Sequence, residues 1–200
     1  LFDELSKDIN NENKGWHSNH MELKLGFIHN KKTGGTSIKK FFEDNEYQLL
    51  YNFSLNEGNI SDIGIITFGV IRNPYTRCIS SWKYCESTRT RTLLDCLKTP
   101  PDEEVAYYTH GHDYRHFTLP QSHWLHHPTT NKRVYHLIKF ENLEEEIYNL
   151  CDQYEIEIKK TFPKENAGKY DHNIQLTSEE KEAIYNFYKV DFDIFGFKKE

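Results

Sequence analysis

No run in this 200-residue chain approaches the ~18 consecutive apolar residues that a bilayer-crossing helix needs, and Leu1-Phe2-Asp3-Glu4 is not the start of a signal peptide. A soluble chain is expected, with the missing initiator Met leaving room for an upstream anchor or signal. Gly/Ser-rich linkers and shifts of composition are missing too, so the chain reads as one domain, long enough to bury a core without staples. The four cysteines, Cys78, Cys85, Cys96 and Cys151, make neither Cys-x-x-Cys nor a zinc spacing. Cys78 and Cys151 fall on apolar helical stripes and read as core, while Cys85 and Cys96 could pair in a secretory compartment. A broadly basic face is also absent: the net charge is -6 at pH 7, which argues against non-specific nucleic-acid binding. Histidines crowd residues 110–127, and His112-x-x-x-His116 has ligand spacing on a helix, yet no Glu follows His112 and no cysteine lies nearby, so no metal is expected. Asn52-Phe53-Ser54 and Asn59-Ile60-Ser61 have the form of glycosylation sequons, which chance readily supplies in an Asn-rich chain.

What is present is a pattern for holding phosphate. Phe27-Ile28-His29 ends an apolar strand, Asn30-Lys31-Lys32-Thr33 is basic, Gly34-Gly35 permits a sharp turn, and Thr36-Ser37 opens a helix. Adjacent glycines bring main-chain N–H groups up to an anion with no Cβ in the way, and hydroxyls at the positive end of a helix add donors. Positive charge is local. Lys31, Lys32, Lys39 and Lys40 meet no acid between residues 29 and 42, and Arg72, Arg77, Lys83, Arg89 and Arg91 follow, whereas residues 141–157 are acidic. A basic cleft on an acidic body concentrates an anionic ligand, with Lys39 and Lys40 read as a solvated helix face. The NTPase loop G-x-x-x-x-G-K-[ST] places its lysine after the last glycine; here Lys32 precedes Gly34, so that pattern fails.

The order Lys32-Thr33-Gly34-Gly35-Thr36-Ser37 after a strand ending in His resembles the 5′-phosphosulfate loop of the sulfotransferases, the membrane-enzyme and carbohydrate branch in particular, whose usual form is His-Ile-Pro-Lys-Thr-Gly-Gly-Thr-Ser. Asn30 and Lys31 stand where that form has Ile and Pro, and loss of the proline is expected to loosen the turn. Phe68-Gly69-Val70-Ile71-Arg72-Asn73-Pro74-Tyr75-Thr76-Arg77-Cys78-Ile79-Ser80 resembles the same family's 3′-phosphate motif, which implies that Arg72 and Ser80 hold that phosphate. Independently of the resemblance, Ile63 to Ile71 is nearly continuously apolar, as a fully buried parallel strand is, and Pro74 suits the first turn of a following helix. Tyr75, Cys78, Ile79 and Trp82 give that helix one buried face, with Ser80 off it. Leu137 to Leu143 and Asp191 to Phe197 resemble later family segments and read as packing.

Strands are expected at 23–29, 47–51, 63–71 and 134–140, and helices at 36–44, 74–85, 92–97, from Leu143 onward and after the capping box Thr177-x-x-Glu180. The stretch from Pro100-Pro101 to about Thr130 reads as irregular. This alternation predicts an α/β chain: a single P-loop-like three-layer domain with a central parallel sheet flanked by helices. Residues 1–22 would form an N-terminal extension and 23–200 the sulfotransferase domain. Ligands of such sheets sit outside the strand carboxyl ends, where both motifs fall.

The resemblance implies transfer of a sulfuryl group from 3′-phosphoadenosine 5′-phosphosulfate (PAPS) to a hydroxyl acceptor by in-line displacement, leaving 3′-phosphoadenosine 5′-phosphate (PAP), with no metal. It assigns cofactor binding to Lys32, Thr33, Gly34, Gly35, Thr36, Ser37, Arg72 and Ser80. Lys32 is also the expected catalytic group, placed to meet charge that builds on the departing phosphate. A glycan is the favoured acceptor because the branch resembled mostly modifies glycans, and His123 beside Trp124 would suit a sugar site. No histidine lies between the two motifs, so Glu57 and, from the irregular segment, His112 are the candidate bases, with His110 and His116 as rivals. The compartment stays open: the chain is expected to be soluble as given, either cytoplasmic or the lumenal part of a Golgi-type enzyme. A nucleotide or small-molecule kinase and a non-catalytic nucleotide-binding relative are the alternatives.

Overall fold

The computed structural model describes residues 24–52, 65–101, 114–126, 132–163 and 174–200. Strands β1 (Lys24–Ile28), β2 (Leu50–Asn52), β3 (Ile65–Ile71) and β4 (His136–Lys139) form a parallel sheet in the order β2-β1-β3-β4. Helices α1 (Gly35–Asp44), α2 (Pro74–Tyr84), α3 (Glu86–Arg89), α4 (Leu93–Lys98), α5 (Arg115–Thr118), α6 (Gln121–Leu125), α7 (Leu143–Gln153), α8 (Ser178–Phe187) and α9 (Lys189–Phe195) flank it. The α/β architecture is the one expected. Residues 1–22, read as an extension, lie outside the described residues. No described helix is long and apolar enough to cross a membrane.

Successive side chains of a strand point to opposite faces, and here each face has its own core. Leu25, Phe27, Phe68, Val70 and Ile138 pack with Ile38, Phe41 and Phe42 of α1 and Ile147, Leu150 and Cys151 of α7. Ile28 and Ile71 turn the other way, onto Trp124 and Leu125 of α6 and onto Val134. A third cluster joins α2, α4, α5, α8 and α9 through Tyr75, Cys78, Leu93, Phe117, Ile184, Tyr188 and Phe192. The stacked pair Phe27–Phe68, centroids 5.0 Å apart, links β1 to β3 at the middle of the sheet. Burying each such ring contributes about 1.5–3 kcal/mol.

Several boundaries differ from the sequence reading for local reasons. Tyr47 is not strand: its N–H bonds the Phe42 carbonyl to close the end of α1, and its hydroxyl accepts from Leu25 N–H at 3.1 Å. Strand β4 ends at Lys139 because Phe140–Asn142 tighten into a 3₁₀ turn that leads into α7. The segment read as irregular contains α5 and α6, each too short to show a period. The last helix breaks at Tyr188, which separates α8 from α9. Helix α2 was expected to bury one face, yet Arg77, Ser80 and Ser81 are buried along with Tyr75, Cys78 and Ile79. All four cysteines are buried; Cys96 is a free thiol that donates to the Thr88 carbonyl, so no disulfide joins it to Cys85.

Gly69 lets α6 approach the sheet, since a Cβ there would lie 2.4 Å from Leu125 Cδ2. Gly69→Ala should destabilise by about 1–3 kcal/mol. In a Leu125→Ala background the same change should cost much less, because the added methyl then enters space already vacated. A double-mutant cycle of urea unfolding checks this, and additive costs would mean that the two groups do not compete.

Candidate functional site

Strand β1 pairs with β2 on one side and β3 on the other, so the chain crosses in opposite directions from β1, and the crevice at that switch lies between the ends of β1 and β3. Two loops leave the sheet there, residues 29–34 after β1 and Arg72-Asn73 after β3. The first is held from several sides. The Asn30 amide donates to the Val70 carbonyl at 2.9 Å and to Gln121 Oε1 at 3.0 Å; Thr33 Oγ1 donates to the Asn30 carbonyl at 2.7 Å; Arg77 Nε donates to the Lys31 carbonyl at 3.2 Å. Lys32 is thereby kept at φ 64°, a left-handed conformation costing a lysine roughly 1–2 kcal/mol. Where the proline is missing, the loop is held by contacts from β3, α6 and α2. Side-chain hydrogen bonds replace the proline.

Gln121, fully buried at the start of α6, is the junction. Its Oε1 accepts from Arg72 N–H at 2.8 Å as well as from Asn30, and its Nε2 donates to the Arg72 carbonyl at 2.9 Å. Asp191 of α9 accepts from the Gln121 and Ser122 N–H groups at 2.8 and 2.9 Å and so caps α6. The closing segment that the sequence presents as packing thus supports the loop through α6. Arg77, read as part of a basic cleft, is fully buried and clamps the Lys31, His116 and Leu119 carbonyls. Arg89 pairs with Glu86, Arg91 donates to the Asp95 and Thr99 carbonyls, and Lys39 and Lys40 pair with Glu43 and Asp44.

Helix α1 starts from Gly34 at φ 83° with no side-chain cap and no acid in its first turn. The N–H groups that open a helix have no intrahelical acceptors, and the residue at the cap, a glycine, has no side chain to accept from them. A Cβ on Gly34 would lie 2.7 Å from Leu143 Cδ2, and the helix must begin close against the turn that follows β4. From that turn Phe140 lies 4.3 Å beneath the Arg72 guanidinium, and Glu141 accepts from Asn73 N–H at 3.0 Å. Residues 137–143, read from sequence as packing, therefore shape this rim. Arg72 Nη1 donates to the Lys32 carbonyl at 3.2 Å, which brings the two motifs into direct contact.

A model of the sulfotransferase family matches residues 23–198. The chain belongs to that family. No significant match is found among curated proteins or solved structures. The family is one of transferases that move sulfuryl groups, and the described rim of this member carries the charge such a transfer needs. Lys32 Nζ lies over the Tyr84 ring, 3.8 Å from its centroid, and burial, the largest cause, lowers its pKa from 10.5 to about 8. Burial likewise lowers Arg72 to about 10, partly offset by Glu141, so the guanidinium remains charged at neutral pH. Its Nε donates to Thr76 Oγ1 at 3.0 Å, and its remaining N–H groups are not tied to described residues.

The other sequence candidates divide. Ser37 is buried in the first turn of α1, Thr36 is exposed beside it, and Ser80 is 5% exposed on α2. Thr33 is fully buried, its hydroxyl committed to the Asn30 carbonyl. Glu57, His110 and His112 lie outside the described residues. His116 reaches the rim, its ring 5.1 Å from that of Tyr84. Trp124 is 4% exposed and packs on Ile28 and Ile71, so it is core and not the wall of a sugar site. Among the described residues no group of three or more His, Cys, Asp or Glu is placed to hold a metal. Sequence reasoning missed Gln121 and Tyr84, which stand in no recognisable spacing, and took Asp191, in the closing segment, for packing.

The displaced titration of Lys32 has a measurable consequence. Between about pH 8 and 10.5 the folded chain has lost this proton and the unfolded chain has kept it, so stability contributed through Lys32 rises with pH across that window. Denaturant unfolding at a series of pH values should show this rise in the wild type and a flatter profile in Lys32→Met; identical profiles would mean that the ammonium is not desolvated.

Proposed function

We propose that this sulfotransferase transfers the sulfuryl group of PAPS to a hydroxyl of a carbohydrate acceptor. The observation that carries the reading is the Arg72–Lys32 bond of 3.2 Å, which sets a guanidinium suited to one phosphate beside a lysine suited to the other. The residues fit such a group: an uncapped helix start, a left-handed Gly34, an acid-free loop and a cationic rim suit an anion bearing phosphate at both ends. When bound, the nucleotide supplies an activated sulfuryl group that an acceptor oxygen displaces in line.

The chain's own residues then have separable roles. Main-chain N–H groups from Gly34 to Ser37 hold the 5′-phosphate end, and Lys32 neutralises the charge that grows on it as the bond breaks. Arg72 and Ser80 recognise the 3′-phosphate. His116 is the described histidine best placed to take the acceptor's proton, since Tyr84 joins it to Lys32 along one edge. Tyr84 at 43% exposed and Tyr51 at 38% present aromatic surface on which a sugar ring can stack, and this favours a glycan over a small alcohol.

Transfer of radiolabelled sulfate from PAPS to a panel of glycans and small alcohols tests the proposal. Turnover is expected; tight PAP binding with no turnover on any acceptor would favour a non-catalytic relative, and magnesium-dependent ATP turnover would favour a kinase. Lys32→Ala should lower kcat about 100- to 1000-fold while changing PAP affinity much less, and equal losses would reduce the lysine to a binding group. Arg72→Ala should lower discrimination between nucleotides with and without the 3′-phosphate by about tenfold to a hundredfold, the worth of a hydrogen bond to a charged group.

A further inference from the structure

Gln121 is fully buried, so it acts on a ligand only through its neighbours. Its place is set independently of the two loops it joins. Asp191 of α9 accepts from the Gln121 and Ser122 N–H groups at 2.8 and 2.9 Å. Trp124 and Leu125, further along α6, pack on Ile28 and Ile71, the last residues of β1 and β3. Helix α6 therefore delivers one amide side chain to the ends of the two strands from which the loops depart.

Strand β3 and its pairing with β4 end at Ile71, so Arg72 lies one residue past the ladder that fixes its predecessors. Gln121 takes over there: its Oε1 accepts from the Arg72 N–H at 2.8 Å and its Nε2 donates to the Arg72 carbonyl at 2.9 Å. One primary amide thus meets both main-chain groups of Arg72, as a residue of a paired strand would. The same oxygen accepts from the Asn30 amide at 3.0 Å, two residues before Lys32. Asn30 also bonds the Val70 carbonyl at 2.9 Å, but that link stops within β3, whereas Gln121 reaches the residue that carries the guanidinium. Arg72 Nη1 returns to the Lys32 carbonyl at 3.2 Å. Asn30, Lys32, Arg72 and Gln121 therefore form a closed ring, and the loops cannot separate without breaking one of its bonds.

We propose that Gln121 is a positioning residue that sets the span between the two loops and thereby the preference of the site for a nucleotide phosphorylated at both ends. This rests on the reading that the loop carrying Lys32 takes the 5′-phosphate and Arg72 the 3′-phosphate. A ligand held at two points gains from the second contact only while both fit at once. A changed span therefore weakens the two-point ligand much more than a ligand held at either point alone.

Calorimetric titration of the full chain with PAP, adenosine 3′-phosphate and adenosine 5′-phosphate tests it. Gln121→Met, which keeps the bulk of the side chain and removes the amide, should weaken PAP about tenfold to a hundredfold and each monophosphate less than about threefold. Asn30→Ala opens the same ring from the other loop and leaves the Gln121–Arg72 pair in place. It should narrow the preference for PAP in the same direction, and it decides the matter if Gln121→Met does not fold. Equal weakening of all three nucleotides would reduce Gln121 to general support of the fold, and unchanged PAP affinity would mean that the span is set elsewhere. Either result overturns the proposal while leaving the nucleotide site standing. A wild-type chain that binds PAP no more tightly than the monophosphates would instead remove the two-phosphate reading on which it depends.

Discussion

The site depends on one buried amide. Gln121 accepts from Asn30 on the loop after β1 and exchanges two hydrogen bonds with the backbone of Arg72 after β3, so a single side chain fixes the spacing of two loops that come from distant parts of the chain. A primary amide suits this task because it offers donor and acceptor together and carries no charge that would need a counter-ion in the core. Its own position is set by Asp191, whose two oxygens each take an N–H at the start of α6. Each bond alone is worth only about 0.5–1.5 kcal/mol, but leaving any of these buried groups unpaired costs about 1–3 kcal/mol, and the set is held together by that asymmetry.

Against this rigid frame the rim collects charge at some cost to the fold. Burial lowers Lys32 and Arg72 alike, and neither has an ion pair as its main partner. Aromatic faces partly compensate: Tyr84 lies under the ammonium and Phe140 under the guanidinium, at 3.8 and 4.3 Å. A carboxylate in either place would stabilise the empty site better and would also compete with an anionic ligand. The acid-free loop and the two rings therefore leave the rim cationic at some cost in stability, a trade common at functional sites.

Much of this was legible in sequence, and what was not shares a cause. The sheet strands, α1, the Asn73-Pro74 start of α2 and the Thr177–Glu180 capping box are local patterns, and each appears within a few residues of its expected place. The convergence of Lys32 and Arg72 follows from parallel topology, since both lie in loops that leave strand ends beside the switch. Gln121, Asp191 and Tyr84 escaped because their roles exist only through partners far along the chain. Arg77 misled for the same reason: in a list of charges it is one more surface cation, whereas its burial depends on three carbonyls that only the fold supplies. Helices α5 and α6 are shorter than two turns of apolar period and leave no pattern to read.

The replacement of proline in the loop ties these strands of reasoning together. Proline would stiffen the turn through its own ring, independently of the rest of the molecule. Asn30 and Lys31 stiffen it through α6 and α2 instead, since Asn30 bonds Val70 and Gln121 and the Lys31 carbonyl holds Arg77. Loop geometry therefore becomes a property of the tertiary structure, and through Asp191 it extends to α9 near the end of the chain. That dependence gives the resemblance of the closing segment a physical content: Asp191 holds the start of α6, and through Gln121 that start holds the loop after β1.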